Sequence, residues 1–399
     1  MENVSSRCGK SDNAPRLRFP EFSGEWVEKK LGEIFFEVNE RKHPELPVLS
    51  IQQGIGTVFR DISERRISYD KANINAYKVI EPGDFIIHLR SFEGGLECSK
   101  HKGISSPAYK ILRSNCIDSA AFKDYFRSYN FIEGKLAAAV TGIRDGKNID
   151  MPTFWSLKIN IPSLPEQKKI AAFFTLLDRR IQKQRQLVEF LKTYKRGVIF
   201  SIFKKDNQFG IQIKKTPLSE LLTEYRNRNT KNLMVCSVAV GKGVVNQIEH
   251  LGRSFAAADT SNYGKVKPGD IVYTKSPTGN FPYGIVKQSR QKQDVAVSPL
   301  YGVYTPKSFS VGTLIHNYFE QRENANNYIR PLAQKGAKNT INITTSYFLQ
   351  GIIPFPKLED DIEKLANFFN LLDEKIQQTE NFLHNLSMQK KELLHRMFI

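Results

Sequence analysis

Residues 170–181 read IAAFFTLLDRRI, and residues 365–376 read LANFFNLLDEKI. A shift of 195 residues lays Ala171 on Ala366, Phe173 on Phe368, Phe174 on Phe369, Leu176 on Leu371, Leu177 on Leu372, Asp178 on Asp373 and Ile181 on Ile376. The register runs without a gap to Phe203 and Phe398. A repeat offset by nearly half of the 399-residue chain means two copies of one module. Such self-similarity has to be settled before any fold is assigned.

Both copies carry a heptad pattern. Ile170, Phe174, Leu177, Ile181, Gln184, Val188, Leu191, Lys195 and Val198 alternate at spacings of four and three. Leu365, Phe369, Leu372, Ile376, Thr379, Leu383, Leu386, Lys390 and Leu393 do the same. A seam sustained over about four heptads argues for a coiled coil rather than an ordinary amphipathic helix. Both seams break at shared positions, Gln184 with Thr379 and Lys195 with Lys390. Pro165-Glu166 opens the first helix, and Glu359, Asp360 and Asp361 open the second, where acidic groups suit the positive end of the helix dipole.

The bland alternative is that each helix packs only on its own domain. Charge favours pairing instead. Residues 166–206 hold 11 Lys/Arg against 4 Asp/Glu, and residues 359–399 hold 5 against 8, so the two helices are of opposite sign. The order domain–helix–domain–helix favours an antiparallel pair. In a symmetric pairing Gln184 faces Thr379, and a matched polar pair inside an apolar seam can fix register.

Outward from the helices, the two intervening segments are faint copies of each other. Leu31-Gly32-Glu33-Ile34 answers Leu218-Ser219-Glu220-Leu221. The apolar run PVLSI answers MVCSV. Pro82-Gly83-Asp84 before FIIHL answers Pro268-Gly269-Asp270 before IVY. Ser106-Pro107, Tyr125-Phe126 and Gly142-Ile-Arg144 answer Ser298-Pro299, Tyr318-Phe319 and Gly336-Ala-Lys338. Short β-rich runs bounded by turn residues predict mixed α/β domains. The fold class expected is α+β: two mixed α/β domains in tandem pseudo-twofold repeat, each followed by a long helix, the helices pairing antiparallel. The boundaries expected are a flexible start at 1–14, a first domain at 15–160, a first helix at 161–206, a second domain at 207–352 and a second helix at 353–399.

Composition narrows the function. Forty per cent apolar residues suffice for packed cores. No run of about eighteen apolar residues offers a membrane span. The polar opening has no signal-peptide core, and four cysteines without a framework suit a reducing compartment, so a cytoplasmic location is expected. A formal charge of +18 points to a polyanionic partner, although a merely basic protein has the same signature. The second domain, with 18 Lys/Arg against 8 Asp/Glu in residues 207–352, is the more basic; residues 15–160 hold 22 against 19.

Catalytic motifs are missing. No Asn/Asp-Pro-Pro-aromatic tetrapeptide of an amino-methyltransferase and no phosphate-binding loop with Gly-Lys-Ser/Thr occurs. Gly241-Lys-Gly243 reads as a turn. Cys98-Ser-Lys-His101 has metal-like spacing but lacks a second ligand pair, so no metal is expected. What remains is nucleic-acid binding. Arg41, Lys42, Arg60, Arg65, Arg66 and Arg90 punctuate the first domain; Arg226, Arg228, Lys275 and Arg290 punctuate the second. Arginine and lysine neutralise phosphates, and arginine also bonds bidentately to guanine. Arg90 and Lys275 stand out because each opens a loop after the Pro-Gly-Asp strand. Arg144, Lys147 and Lys338 sit in the matched Gly-x-Arg/Lys turn. Three classes stay open on these residues: a DNA-specificity protein, an enzyme with unrecognised motifs, and a coiled-coil nucleic-acid scaffold.

The opening PRLRFP at 15–20, the stretch IPSLPEQKKI at 161–170, the long helix and their recurrence as domain and helix together resemble one family. The chain resembles the DNA-specificity subunit of type I restriction–modification enzymes over nearly everything after residue 14. The second copy departs from the pattern, with PKLEDDIEKL in place of the Leu-Pro-Glu-Gln stretch. The resemblance implies a non-catalytic subunit whose two domains each read one half of a bipartite, asymmetric site in double-stranded DNA. It implies that the paired helices act as a ruler between the half-sites. It also implies two modification subunits, which bind S-adenosylmethionine and methylate adenine N6, and up to two restriction subunits, which use ATP and Mg. No cofactor is expected on this chain itself.

Overall fold

The computed structural model describes residues 13–60, 71–87, 95–142, 148–204, 208–225, 227–335 and 341–398. The chain divides into two compact units, one of Met1–Gln184 with Phe382–Ile399, the other of Arg185–Asn381. Each unit therefore owns one domain and part of both long helices.

In the first unit the strands are β1 Val27–Lys30, β2 Phe36–Val38, β3 Leu49–Gln52, β4 Gly56–Phe59, β5 Lys78–Ile80, β6 Phe85–Ile87, β7 Leu96–Cys98, β8 Gly103–Ser105, β9 Lys110–Arg113, β10 Val140–Thr141, β11 Asn148–Ile149 and β12 Lys158–Ile161. In the second they are β13 Ile213–Pro217, β14 Leu222–Glu224, β15 Cys236–Ala239, β16 Gly243–Asn246, β17 Gly264–Val266, β18 Ile271–Tyr273, β19 Val286–Gln288, β20 Val295–Val297, β21 Gly302–Pro306, β22 Gln334–Lys335, β23 Ile341–Asn342 and β24 Ile352–Pro356. Each strand of one unit has its counterpart twelve places on. A four-stranded antiparallel sheet of order β2-β9-β6-β7 answers β14-β21-β18-β19, and the pairs β1-β12, β3-β4, β5-β8 and β10-β11 answer β13-β24, β15-β16, β17-β20 and β22-β23.

The Pro-Gly-Asp turns explain how such short strands hold register. Gly83 and Gly269 adopt φ of 94° and 90°, a conformation that costs a side chain dearly. The next carboxylate closes each turn: Asp84 accepts the Glu81 N–H at 2.7 Å and Asp270 the Lys267 N–H at 2.8 Å. Each then reaches the neighbouring strand. Arg113 of β9 donates twice to Asp84, at 2.7 and 2.8 Å, whereas Thr305 of β21 donates to Asp270 at 2.9 Å. Burial pushes the Asp270 carboxyl above its usual range, and its bonds to the Lys267 N–H and Thr305 and the charge of Lys267 only partly offset this. The same device is thus completed by different chemistry.

Aromatic side chains fill both cores. Phe85, Phe122, Phe126, Phe131 and Phe154 are fully buried in the first unit; Tyr273 and Tyr304 stack on Phe348 at 4.7 and 5.0 Å in the second. The matched aromatic pairs differ in setting. Tyr125-Phe126 lies in a single 3-10 turn, Tyr125–Arg127, while Tyr318-Phe319 lies in a regular helix, Phe309–Glu320.

The long helices are Leu164–Ile202 and Glu359–Met397, 39 residues each, with both ends offset by the same 195 positions. In the first unit Ile170 and Phe174 share a buried cluster with Met397 and Phe398. In the second, Val198, Ile199, Ile202 and Phe203 share one with Ile362, Leu365, Ala366 and Phe369. In each unit the start of one helix meets the end of the other, so the packing is antiparallel. Along the seam Ile170, Phe174, Val188, Leu365, Phe369, Leu372, Ile376, Thr379 and Leu386 are buried, and Leu177, Ile181, Gln184, Leu191 and Leu383 are half-buried.

The heptad-breaking lysines have partners. In the second unit Lys195 Nζ lies 2.6 Å from Asp373 and 2.7 Å from Glu320 of the helix Phe309–Glu320. In the first, Lys390 Nζ lies 2.5 Å from Asp178 and 2.8 Å from Asp124. The 195-residue shift converts one helix–helix pair into the other. Long side chains on a helix lean towards its N-terminus, which lets each lysine reach past its own level. Burial pushes the Lys195 ammonium down, but its two carboxylate neighbours more than restore it. Lys123 completes the first cluster at 2.6 Å from Asp178, and Lys287 the second at 3.4 Å from Glu320.

The LPEQ stretch is absorbed internally. Glu166 is 1 % exposed and accepts from Arg18 twice at 2.7 Å and from Trp26 Nε1 at 3.3 Å. Gln167 accepts the Asp118 N–H at 2.7 Å and donates to the Pro162 carbonyl at 2.9 Å. The opening PRLRFP segment is thereby strapped to the helix start. The second copy places Asp361 and buried Ile362 at these positions.

Candidate nucleic-acid interface

The described basic candidates fall into distinct settings. Arg41 and Lys42 are exposed on the connection after β2, with Lys42 in a left-handed conformation at φ 69°. Arg60 follows β4, half-buried, its Nε donating to Ser50 Oγ at 3.3 Å. Arg228 is exposed and donates to Asn262 Oδ1 at 3.2 Å. Lys275 follows β18 at φ 53°, half-buried; burial lowers its ammonium pKa, opposed by the charge of Glu224. Arg65, Arg66, Arg90, Arg144, Lys147, Arg226 and Lys338 lie outside the described residues.

Arg290 is exposed at the lip of a groove. Its guanidinium donates to Asn370 of the second long helix at 2.9 Å and sits 5.0 Å from the Phe309 ring centroid, and burial lowers its pKa. It lines a groove of ≈ 910 Å³ with Lys287, His316, Glu320 and Asp373. Burial holds the His316 imidazole neutral; its Nδ1 accepts the Gln288 N–H at 3.1 Å. Burial pushes the Glu320 carboxyl up, and the positive field of its basic neighbours outweighs this, leaving it far below the usual range. The groove is a network of compensated charges beside the helices.

Among the described residues no group of three or more His, Cys, Asp or Glu side chains could hold a metal ion. Cys98 and His101 instead finish a turn: His101 Nδ1 bonds the Thr57 carbonyl at 3.0 Å, Ser99 Oγ donates to the His101 carbonyl at 2.8 Å, and burial raises the Cys98 thiol to about 11. Among the described residues no helix is long and apolar enough to cross a membrane.

Two domains of matching strand order, each joined to a long helix, form the frame in which these residues sit. Residues 115–192 match the family described as the type I restriction modification DNA specificity domain. The fold resembles that of solved type I specificity subunits over nearly the whole chain. The S subunit of a type I restriction-modification system from M. genitalium superposes with a TM-score of 0.58 at 12% identity, covering 97% of this chain and 99% of that one. A chain from a structure described as underlying complex assembly and conformational transition of the type I R-M system gives 0.51 at 14%, covering 92% and 96%. No curated protein matches the sequence.

Proposed function

We propose that this chain is the non-catalytic specificity subunit of a type I restriction–modification complex, reading a bipartite asymmetric site in double-stranded DNA with one domain per half-site. The observation that carries the reading is the exchange-symmetric helix pairing, Lys195 with Asp373 and Lys390 with Asp178, on a fully duplicated domain. A scaffold duplicated strand for strand, with different basic side chains on its loops, suits two related readers with different targets. Each helix rises about 58 Å over its length at 1.5 Å per residue, longer than the roughly 34 Å of one DNA turn. That length supports a ruler role, with half-sites about one turn apart and an unspecified spacer of roughly 5–7 base pairs between them.

Recruitment of partners has support in side chains that the seam leaves out. Leu176 and Leu371 are 62% and 66% exposed, and Leu187 and Phe382 are 41% and 42% exposed; each pair is related by the 195-residue shift. Repeated exposed apolar positions on a helix mark contact surfaces, and two equivalent surfaces suit two copies of one partner. These partners are modification subunits carrying S-adenosylmethionine for adenine-N6 methylation. Restriction subunits, with ATP and Mg, join the same complex. Target bases are flipped into the modification subunit's pocket rather than into this chain.

Incubation with DNA, S-adenosylmethionine and Mg²⁺ tests the division of labour. The purified chain alone gives no methylation or cleavage, and addition of the cognate modification subunit gives methylation. Robust turnover by the chain alone makes it an enzyme and overturns the reading.

A further inference from the structure

The segment after β16 presents its side chains outward on a fixed backbone. Its short helix, Gln247–Leu251, begins where Asn246 accepts the Ile248 N–H at 3.0 Å and stops at Gly252, left-handed at φ 74°. Polar groups pin the chain from beneath. Gln247 donates to Ser237 Oγ at 3.1 Å and accepts the Phe255 N–H at 2.8 Å. The Tyr263 hydroxyl accepts the Ala257 N–H at 3.1 Å, and Asn229 donates to Thr260 Oγ1 at 3.1 Å.

Above this backbone Ile248, Leu251 and Phe255 are 59%, 46% and 57% exposed. The Arg253 guanidinium rests 4.5 Å from the centroid of the Phe255 ring. Arg228 holds the far end of the same segment through Asn262. Three large exposed apolar side chains on an ordered segment are a contact surface. Within residues 227–263 the exposed cations Arg228, Lys231, Lys242 and Arg253 outnumber the acids Glu249 and Asp259, which selects a polyanion as occupant.

Resting on the DNA-specificity reading, we propose that Arg253, held on the Phe255 ring, is a base-reading residue of the second unit. A guanidinium stacked on an aromatic face keeps its planar fork and is already oriented, so less freedom is lost on binding. That fork matches the O6 and N7 acceptors of guanine in the major groove, and Phe255 offers an apolar face to a neighbouring thymine methyl.

The test is selection from a random-sequence duplex pool by the full chain in complex with its modification subunit. The wild-type complex recovers two specified blocks. Arg253→Ala keeps one block and loses specification within the other, with affinity for the wild-type site falling roughly 5- to 100-fold. Arg253→Lys, which keeps charge without the fork, does not restore the lost position. Phe255→Ala weakens the same block. The retained block reports that the variant is folded. Both blocks intact with Arg253→Ala, whether or not affinity falls uniformly, overturns the assignment, because the residue then touches only phosphate. Loss of both blocks overturns it too. No block with the wild-type complex overturns the DNA-specificity reading itself, and the assignment with it.

Discussion

Lys195 Nζ of the first long helix lies 2.6 Å from Asp373 Oδ1 of the second. The relation repeats under the 195-residue shift, where Lys390 Nζ lies 2.5 Å from Asp178 Oδ1. Each pair also engages its own domain, through Glu320 in one unit and Asp124 in the other. The lysines that interrupt the apolar seam are therefore ties between helix, helix and domain.

Lys195→Met takes the lysine from Asp373 and leaves Glu320 to the longer contact with Lys287. Removing one member of a fully buried pair costs roughly 3–5 kcal/mol, and the partners here are about a third exposed, so a loss of about 1–3 kcal/mol is expected. Urea unfolding followed by circular dichroism measures it. The double variant Lys195→Met/Asp373→Leu loses less than the sum of its single variants. Additive losses would remove the coupling.

Acid sensitivity follows from Asp178. Burial raises its carboxyl pKa, and hydrogen bonds from Lys123 and Lys390 outweigh that, so the folded value lies below the unfolded one. Its contribution is fully present above the unfolded carboxylate value and is lost as pH falls through the depressed folded value. Trp26 and Trp155, the chain's two tryptophans, both belong to the first unit and report its unfolding alone. Asp178→Asn lowers the tryptophan-detected stability at pH 7, and the gap to wild type closes on acidification below the usual carboxylate range. A gap that widens on acidification contradicts the sign.

Glu166→Gln unstraps the N-terminal segment. It weakens charge-assisted bonds worth about 1.5–3 kcal/mol. Tryptic cleavage at Arg16 and Arg18 accelerates and the Trp26 emission shifts to the red. Asp361→Asn, at the corresponding place in the second helix, stays within about 0.5 kcal/mol of wild type.

Leu176→Glu and Leu371→Glu alter exposed positions, so each leaves stability within about 0.5 kcal/mol of wild type. Each is expected to lower the amount of modification subunit that copurifies, and the double variant to abolish it. Full recovery of partner by the double variant would place docking elsewhere.

Much of this architecture was legible because geometry leaves a periodic trace. The 4-3 spacing from Ile170 and Leu365 marks the faces that the helices bury, and Pro82-Gly83-Asp84 and Pro268-Gly269-Asp270 mark turns that need a positive φ and a short acceptor. Other features left no local trace. Arg18 meets Glu166 across 148 positions, and neither residue is unusual alone. Cys98 and His101 have ligand spacing, yet the fold spends His101 on Thr57. Arg290 reads like the other arginines in sequence, yet it donates to Asn370 across 80 positions. Arg253 and Phe255 gave only an arginine near an aromatic; their exposure and stacking come from a backbone pinned by Gln247 and Tyr263, residues whose roles emerge only in three dimensions.

The central claim is that two duplicated domains read two DNA half-sites at a distance set by the paired helices. Its most direct test is mapping N6-methyladenine in cells co-expressing the chain and its modification subunit. The account predicts one motif with two different specified halves and a spacer of fixed length. Inserting about one helical turn into both long helices lengthens that spacer while leaving both halves unchanged. A continuous motif, or a spacer that does not change on insertion, would contradict it.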